Sequence, residues 1–477
     1  MLTPHSSPLS ALSRDHLRMI SAFFDSPAAT LTSAARSYRR LLADSYNLLI
    51  PADAAVLEIG CGDGELLAHV HAARKTGIDL SAIQLARAHA RLPDAILLQQ
   101  SGEELCLTGS FDVIIVSDTL NFAADVEQLL CRLRTVATPR TRLLINFHNT
   151  LWHPLFRVAT CLGLQSQQPQ SSWLSRHDVA SLLALAGWEV VKTQPRLLWP
   201  VRTPLIASLC NRLLAPLCSW ACCSVFTVAR LRPEPSAQPL SVSVVIPARN
   251  EAGNIEAAVR RTPEMGAWTE LIIVEGNSTD NTWAEIQRVQ EAYPERRIKI
   301  LQQSGRGKGN AVREGFAVAT GDILMILDAD LTMPPEELPK FYGAIASGHA
   351  ELANGSRLVY PMEKQAMQFL NMIANYCFGQ AFSWLLGQRV KDTLCGTKAL
   401  RRGEYLKIAA NRAYFGDFDP FGDFDLLFGA DKLNLRILDI PIRYRGRTYG
   451  TTNIHRWRHG ILLLRMVLFA ARKLKFA

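Results

Sequence analysis

The run Ile323-Leu-Met-Ile-Leu-Asp328-Ala-Asp330 is an apolar segment ending in two carboxylates one residue apart. An unbroken apolar run of this length fits a strand buried on both faces. At the carboxyl end of such a strand the chain leaves the sheet, and open α/β sheets place ligands there. Two carboxylates so close repel each other unless a cation lies between them, and hard oxygen ligands suit Mg²⁺ or Mn²⁺. A cation held there would neutralise a departing diphosphate. A different pattern stands upstream: Glu58-x-Gly60-x-Gly62-x-Gly64, with Asp79 about twenty residues on. Glycines let the backbone turn sharply and approach a ligand without a Cβ clash. A carboxylate at the tip of the next strand can accept hydrogen bonds from both hydroxyls of a ribose.

The elements that must position these groups are legible around them. In the first half, Ala54–Ile59, Thr76–Asp79 and Phe111–Asp118 read as strands, with a helix expected from about Val126 to Arg134. A strand at Leu143–Asn146 precedes His148, Trp152 and His153; the histidines read first as ordinary surface or core side chains, and the alternative, a histidine base, would suit methyl transfer to oxygen. Gly187–Val191 and Ser224–Ala229 read as closing strands, with an apolar helix over 204–220 between them that is expected to pack into the core, the alternative being that it covers an acceptor pocket or touches lipid. In the second half, Ser241–Ile246 runs into Pro247-Ala-Arg249-Asn250-Glu251, and Glu270–Val274 runs into Glu275-Gly276-Asn277-Ser278-Thr279-Asp280. Ser278 or Thr279 is expected to cap the following helix. A basic glycine loop, Gly305-Arg-Gly-Lys308-Gly-Asn310, comes next.

Two domains suit a chain of 477 residues. Arg232-Pro-Glu-Pro-Ser-Ala-Gln-Pro239 has three prolines in eight residues and no apolar period, which makes 233–240 a linker between domains at 1–232 and 241–477. With 48% hydrophobic and 20% charged residues, the chain is globular, and its formal charge of +9 favours anionic partners. Nucleic acid is not expected, since no binding module or aromatic-basic platform is present. The ten cysteines are scattered without CxxC pairs and read as buried thiols of a reducing compartment. No signal peptide is expected from Met1-Leu-Thr-Pro-His, and no run of ~18 apolar residues would span a bilayer.

The pattern Glu58-x-Gly60-x-Gly62-x-Gly64 with Asp79, taken with the strand at 111–116, resembles the class I S-adenosylmethionine-dependent methyltransferases with their Rossmann-like fold. The resemblance covers 54–145 and fades through 231. It implies that Glu58 supports the loop, that Gly60, Gly62 and Gly64 form the cofactor turn, and that Asp79 holds the ribose. Ser101, in Ser101-Gly-Glu103, stands where an acidic residue would lie beside adenine. A Rossmann-like domain binding NAD, and a non-catalytic binding or scaffolding module, stay open as alternatives. The NAD fingerprint, GxGxxG, differs in spacing.

Over 241–477 the ordered motifs resemble the family 2 glycosyltransferases with the GT-A fold. The resemblance implies that Pro247, Glu251 and Glu275 line the nucleotide pocket, with Lys308 near the nucleotide, Asp328 beside the ribose and Asp330 on Mg²⁺ or Mn²⁺. Asn354-Gly-Ser-Arg357, Asp392-Thr-Leu-Cys395-Gly396-Thr-Lys398, Gly422-Asp423-Phe-Asp425 and Arg443-Tyr-Arg-Gly-Arg447-Thr-Tyr-Gly450 are similar to the dolichyl- and polyprenyl-phosphate sugar transferases. In that branch the arginine matching Arg357 holds an acceptor phosphate, and a carboxylate sits near Asp425. A second arginine and a serine of the branch are replaced by Met367 and Asn371, with Lys364 nearby as a substitute charge. The implied reaction is inverting transfer from a nucleotide-sugar to a lipid-linked acceptor. A soluble hydroxyl acceptor, with Asp425 or Asp423 as base, is the alternative. Residues 366–386 read as a core helix or an interfacial one. The apolar, basic-ended stretch 457–475 reads as peripheral attachment to the inner leaflet of a cytoplasmic protein.

Overall fold

The computed structural model describes residues 9–26, 32–161, 169, 172–360, 369–412, 423–447, 449 and 456–476. Among the sequence expectations, Lys364, Met367, Gly422 and Gly450 lie outside them. The chain forms two compact units, Met1–Arg232 together with Lys475–Ala477, and Pro233–Leu474.

The first unit is built on β1 (Ala55–Ile59), β2 (Arg74–Asp79), β3 (Ile96–Gln99), β4 (Val113–Ser117), β5 (Arg142–His148), β6 (Trp188–Arg196) and β7 (Ser224–Leu231). They pair in the order β3-β2-β1-β4-β5-β7-β6. The first five are parallel, and β7 lies antiparallel between β5 and β6. β1 and β4 are buried at every residue, as a parallel sheet covered on both faces requires. Their side chains divide between two apolar layers: Val56, Val113 and Ile115 face one, Leu57, Ile59, Ile114 and Val116 the other. The helices Ala11–Phe24 and Ser33–Asn47, for which the sequence reading had no expectation, precede the sheet. Trp188 closes the sheet, fully buried, with its indole N–H donating to Leu130 O at 2.9 Å.

The second unit is built on β8 (Val242–Ala248), β9 (Thr269–Glu275), β10 (Arg297–Gln302), β11 (Ile323–Ile326), β12 (Leu352–Ser356), β13 (Lys398–Arg401) and β14 (Ile437–Pro441). Their order is β10-β9-β8-β11-β13-β12-β14. Strands β10, β9, β8 and β11 are parallel, and β13 runs antiparallel to β11 and β12. Each sheet has one topological switch: chain order reverses between β1 and β4 in the first and between β8 and β11 in the second. A crevice forms at the carboxyl ends of strands at such a point.

Three expectations are corrected. Residues 204–220 are not core: Leu205, Leu209, Leu213, Leu217 and Trp220 are exposed, because only Ala207 and Ala215 turn inward. The helix after Asp280 begins at Thr282, and neither Ser278 nor Thr279 caps it. Instead Ser278 Oγ accepts from Asn250 N, and Asp280 accepts from Thr282 N at 3.0 Å. The cysteines are not uniformly buried, since Cys106, Cys161 and Cys377 are exposed. The helix Phe369–Leu386 is two-faced: Phe382, Leu385 and Leu386 are buried, Tyr376 and Trp384 exposed. Among the described residues, no helix is long and apolar enough to cross a membrane.

Candidate functional sites

At the β1–β4 switch, Gly60, Gly62 and Gly64 all adopt left-handed φ, at +71°, +55° and +75°. A Cβ on Gly60 would collide with the Thr119 side chain, whereas one on Gly62 would meet only open space. Gly62 therefore presents bare backbone to a cavity, and Gly64 serves packing against Ala88 and Leu92. The cavity encloses about 930 Å³ of empty space, its open mouth included, and that holds a nucleoside-sized ligand. Gly60, Gly62, Asp63, Asp79, Gly102 and Glu103 line it from the loops.

Asp79 is locked in place. Its carboxylate accepts from Gly62 N and Ser81 N, both at 2.8 Å. Burial raises its pKa, and these two amides pull it back. Each oxygen keeps a further lone pair for a ligand hydroxyl. Glu58 behaves differently: it is fully buried on β1, and neither carboxyl oxygen has a hydrogen-bond partner. Burial pushes it up to about 8. The expected bracing of the loop by Glu58 is thus not made through hydrogen bonds. Ser101 does not line the cavity. Its hydroxyl turns inward to Glu103, leaving Gln100, Gly102 and Glu103 at the wall. Only Ser101 of this turn is withdrawn from the wall, which no local pattern foretold.

Among the wall residues that escaped the sequence reading are Leu17, Ile20 and Phe24 on the helix Ala11–Phe24, and Arg39 on the next. The i, i+3, i+7 spacing of the first three was the available signal. Asp118, at φ +55°, follows β4 directly and accepts from Asn146 Nδ2 at 2.7 Å. His148 Nε2 lies 3.9 Å from Asp118 Oδ1, so His148 does sit beside the cavity wall.

At the β8–β11 switch the structure brings Glu251, Lys308 and the pair Asp328 and Asp330 together from three segments. Lys308, the first residue of its helix, pairs with Asp328 at 2.6 Å. Asp330 Oδ1 accepts from Thr332 N and Oγ1 at 3.1 and 2.8 Å, which fixes the carboxylate. Its Oδ2 meets Arg447 Nη2 at 2.6 Å, and Arg447 Nη1 reaches Glu251 Oε1 at 2.9 Å. Burial raises the Glu251 pKa, opposed by Asn254 and Arg447. Glu275 ends β9, buried, and accepts from Ser278 N. Pro247 lies on β8 just before this turn. Gly396 packs against the ion pair so closely that a Cβ there would overlap Lys308 Nζ and the Asp328 carboxylate.

Arg357 and Asp425 lie in other surroundings. The Arg357 fork closes on fully buried Asp392, with Nε and Nη2 at 2.7 and 2.9 Å from its oxygens. Burial alone would raise Asp392, but Arg357 holds it below the usual carboxylate range. Asn375 Nδ2 also donates to Asp392, at 3.0 Å, and Tyr444 lies under the guanidinium. Asp425 pairs with Arg412 at 2.7 Å. Among the described residues no group of three or more His, Cys, Asp or Glu could hold a metal by itself. The carboxylates at Asp330 and Glu251 nevertheless fit a hard cation that takes its remaining ligands from phosphate and water. A guanidinium already bridges them.

Residues 34–193 match the family described as Methyltransferase domain, and residues 243–407 match Glycosyl transferase family 2. The chain is 38% identical over 123 residues to a dolichol-phosphate mannosyltransferase of Pyrococcus furiosus, covering 25% of this chain and 34% of the relative. It is 28% identical over 215 residues to an undecaprenyl-phosphate 4-deoxy-4-formamido-L-arabinose transferase of Klebsiella pneumoniae, covering 44% and 61%. The chain thus spans about a third and about three fifths of these relatives. A SAM-dependent methyltransferase structure from Thermotoga maritima, a possible histamine N-methyltransferase, superposes with a TM-score of 0.33 at 18% identity, over 42% of this chain and 91% of that one.

Proposed function

We propose that this chain, in which a methyltransferase domain precedes a family 2 glycosyl transferase domain, is a bifunctional enzyme. In this reading the two domains are 1–232 and 241–477, with 233–240 as linker. The second transfers a sugar from a nucleotide-sugar to a polyprenyl-phosphate acceptor at the cytoplasmic face of a membrane. The names of the two curated relatives support the acceptor class. The observation that carries the transfer reading is the convergence of Glu251, Asp328 and Asp330 with Lys308 and Arg447 at the β8–β11 switch.

Pro247, Glu251, Glu275 and Asp328 would hold the nucleoside, and Asp330 would hold Mg²⁺ or Mn²⁺. The bound cation would supply neutralisation of the leaving diphosphate. Lys308 and Arg447, which now sit on carboxylates, would turn their charge to the diphosphate as it accumulates. A phosphate acceptor arrives ionised and needs no base, so the chain only has to orient it for one in-line displacement with inversion. The exposed side chains Ile461, Leu464, Arg465, Leu468 and Arg472 on one face of the helix Arg456–Leu474 support peripheral membrane contact. One observation favours a soluble hydroxyl acceptor as second reading: the Arg357 fork is already filled by Asp392. Incubation with radiolabelled nucleotide-sugars, Mn²⁺ and a membrane extract decides. Label in the organic phase supports the lipid acceptor; label confined to water supports the hydroxyl.

For the first domain, the charged residues of the cavity wall are Asp63, Asp79, Glu103, Asp118 and Arg39. Such a wall suits S-adenosylmethionine, which carries a sulfonium, an ammonium and one carboxylate, and disfavours the diphosphate of NAD. Asp79 would hold the ribose, the Gly60–Gly62 backbone the methionine, and Arg39 its carboxylate. Calorimetric titration with S-adenosylmethionine tests this. Absence of heat would leave the domain as a scaffold.

A further inference from the structure

We infer that the first unit carries a docking surface for an anionic lipid bilayer, formed by residues 199–221 and the helical segment after β5. Leu205, Leu217 and Trp220 are 86%, 65% and 69% exposed, and Leu209 and Leu213 are about half exposed. Leu151, Leu155 and Val158, on the segment Thr150–Cys161, are each more than half exposed. Hydrogen bonds join the two groups. Asn149 Nδ2 donates to Trp220 O and Cys222 O at 2.9 and 3.0 Å, and Trp152 Nε1 donates to Ala221 O at 2.9 Å. The segment is also pinned at its start, where Asn211 Oδ1 and Nδ2 bond both backbone groups of Trp199 at 2.7 and 2.8 Å. The exposed side chains are therefore held in one place by folded backbone.

Its position and charge point to lipid. β5 runs parallel to β4 and ends at His148, so the surface lies at the carboxyl edge of the sheet, the edge at which Gly62, Asp79 and Asp118 line the cavity. Residues 149–161 and 199–221 contain Arg157, Arg202 and Arg212 and not one Asp or Glu. Arg202 pairs with Asp44 at 2.9 Å, while Arg157 and Arg212 stand exposed among the leucines. Apolar side chains with interspersed arginine and a tryptophan suit shallow insertion at the headgroup boundary of an acidic membrane. A contiguous apolar surface of this kind is unusual on a free soluble protein.

The test uses the full chain with vesicles of phosphatidylglycerol and phosphatidylcholine, and the same vesicles brominated in the upper acyl chain. The fluorescence difference between wild type and Trp220→Phe isolates Trp220. It is expected to be quenched by brominated lipid, and L209S/L213S/L217S is expected to lower vesicle partition by about tenfold. These three side chains are exposed, so the variant should fold, and a wild-type circular dichroism spectrum and melting temperature report that it has. Unquenched Trp220 with unchanged partition of the triple variant overturns the proposal, since attachment would then lie elsewhere. A wild-type dimer that the triple variant converts to monomer in light scattering also overturns it, because a second copy would be the occupant.

Discussion

Arg447 lies 117 residues from Asp330 in sequence, yet its Nη2 is 2.6 Å from the Asp330 carboxylate. The same guanidinium holds Glu251 at 2.9 Å, so one cation joins the loop after β8 to the loop after β11. It occupies the place where two carboxylates would otherwise repel each other.

Removing this guanidinium should free the carboxylates for a divalent cation. Arg447→Met is expected to bind Mn²⁺ more tightly, by about threefold to tenfold, in calorimetric titration without donor. Sugar transfer should nevertheless fall at least about tenfold, because the charge meant for the diphosphate is gone. Unchanged Mn²⁺ affinity would show that cation and guanidinium do not share a site.

Asp330→Ala removes the carboxylate that Thr332 orients through two hydrogen bonds. Turnover that depends on Mn²⁺ should be lost. Undiminished transfer by this variant takes Asp330 out of the reaction.

Gly396→Ala places a methyl group against the Lys308–Asp328 pair. The pair must move, though the Lys308 side chain is long enough to yield without unfolding the unit. Donor binding should weaken by about tenfold or more while the melting temperature changes by only a few degrees. A large drop in melting temperature with intact donor affinity would assign Gly396 to packing alone.

In the first unit, Asp79→Ala and Arg39→Ala each remove a charged wall group. Titration with S-adenosylmethionine should show about tenfold to hundredfold loss for Asp79→Ala and a smaller loss for Arg39→Ala. Equal affinities in wild type and both variants would leave the cavity without its proposed ligand.

Glu58 gives a pH signature. Its folded-state pKa, about 8, lies above the ordinary 4.5 because burial disfavours the charged form. A raised value means the group costs nothing below its unfolded pKa, and the penalty of burying it grows as pH rises from about 4.5 to about 8. Glu58→Gln should match wild type near pH 4.5 and gain unfolding free energy over wild type in urea titration as pH approaches 8, by on the order of a few kcal/mol at most. A constant difference across that range would mean that Glu58 does not titrate there.

Much of both sites is written locally. The buried strands β1, β4, β8, β9 and β11 have apolar runs, and the residues at the carboxyl ends of the last three, Glu251, Glu275 and Asp328 among them, follow once the strands are placed, as Asp79 does from β2. The glycine turn was legible too, since glycine is the residue type that the positive φ at positions 60, 62 and 64 favours.

Tertiary structure decided which distant groups complete those tips. That Arg447 reaches Asp330, that Arg357 closes on Asp392 and that Leu17, Ile20 and Phe24 wall the first cavity depend on contacts between segments far apart in the chain. Such contacts leave no mark of the partner in either segment: the i, i+3, i+7 spacing of Leu17, Ile20 and Phe24 signals an apolar helix face but not what that face covers. The fate of residues 204–220 was also settled only by the fold: the sequence made them apolar, but whether an apolar segment is buried depends on what packs over it. The sequence by itself determined the strands and the charges at their ends. The three-dimensional pairing determined which cation meets which carboxylate, because strand order in a sheet is fixed by non-local burial.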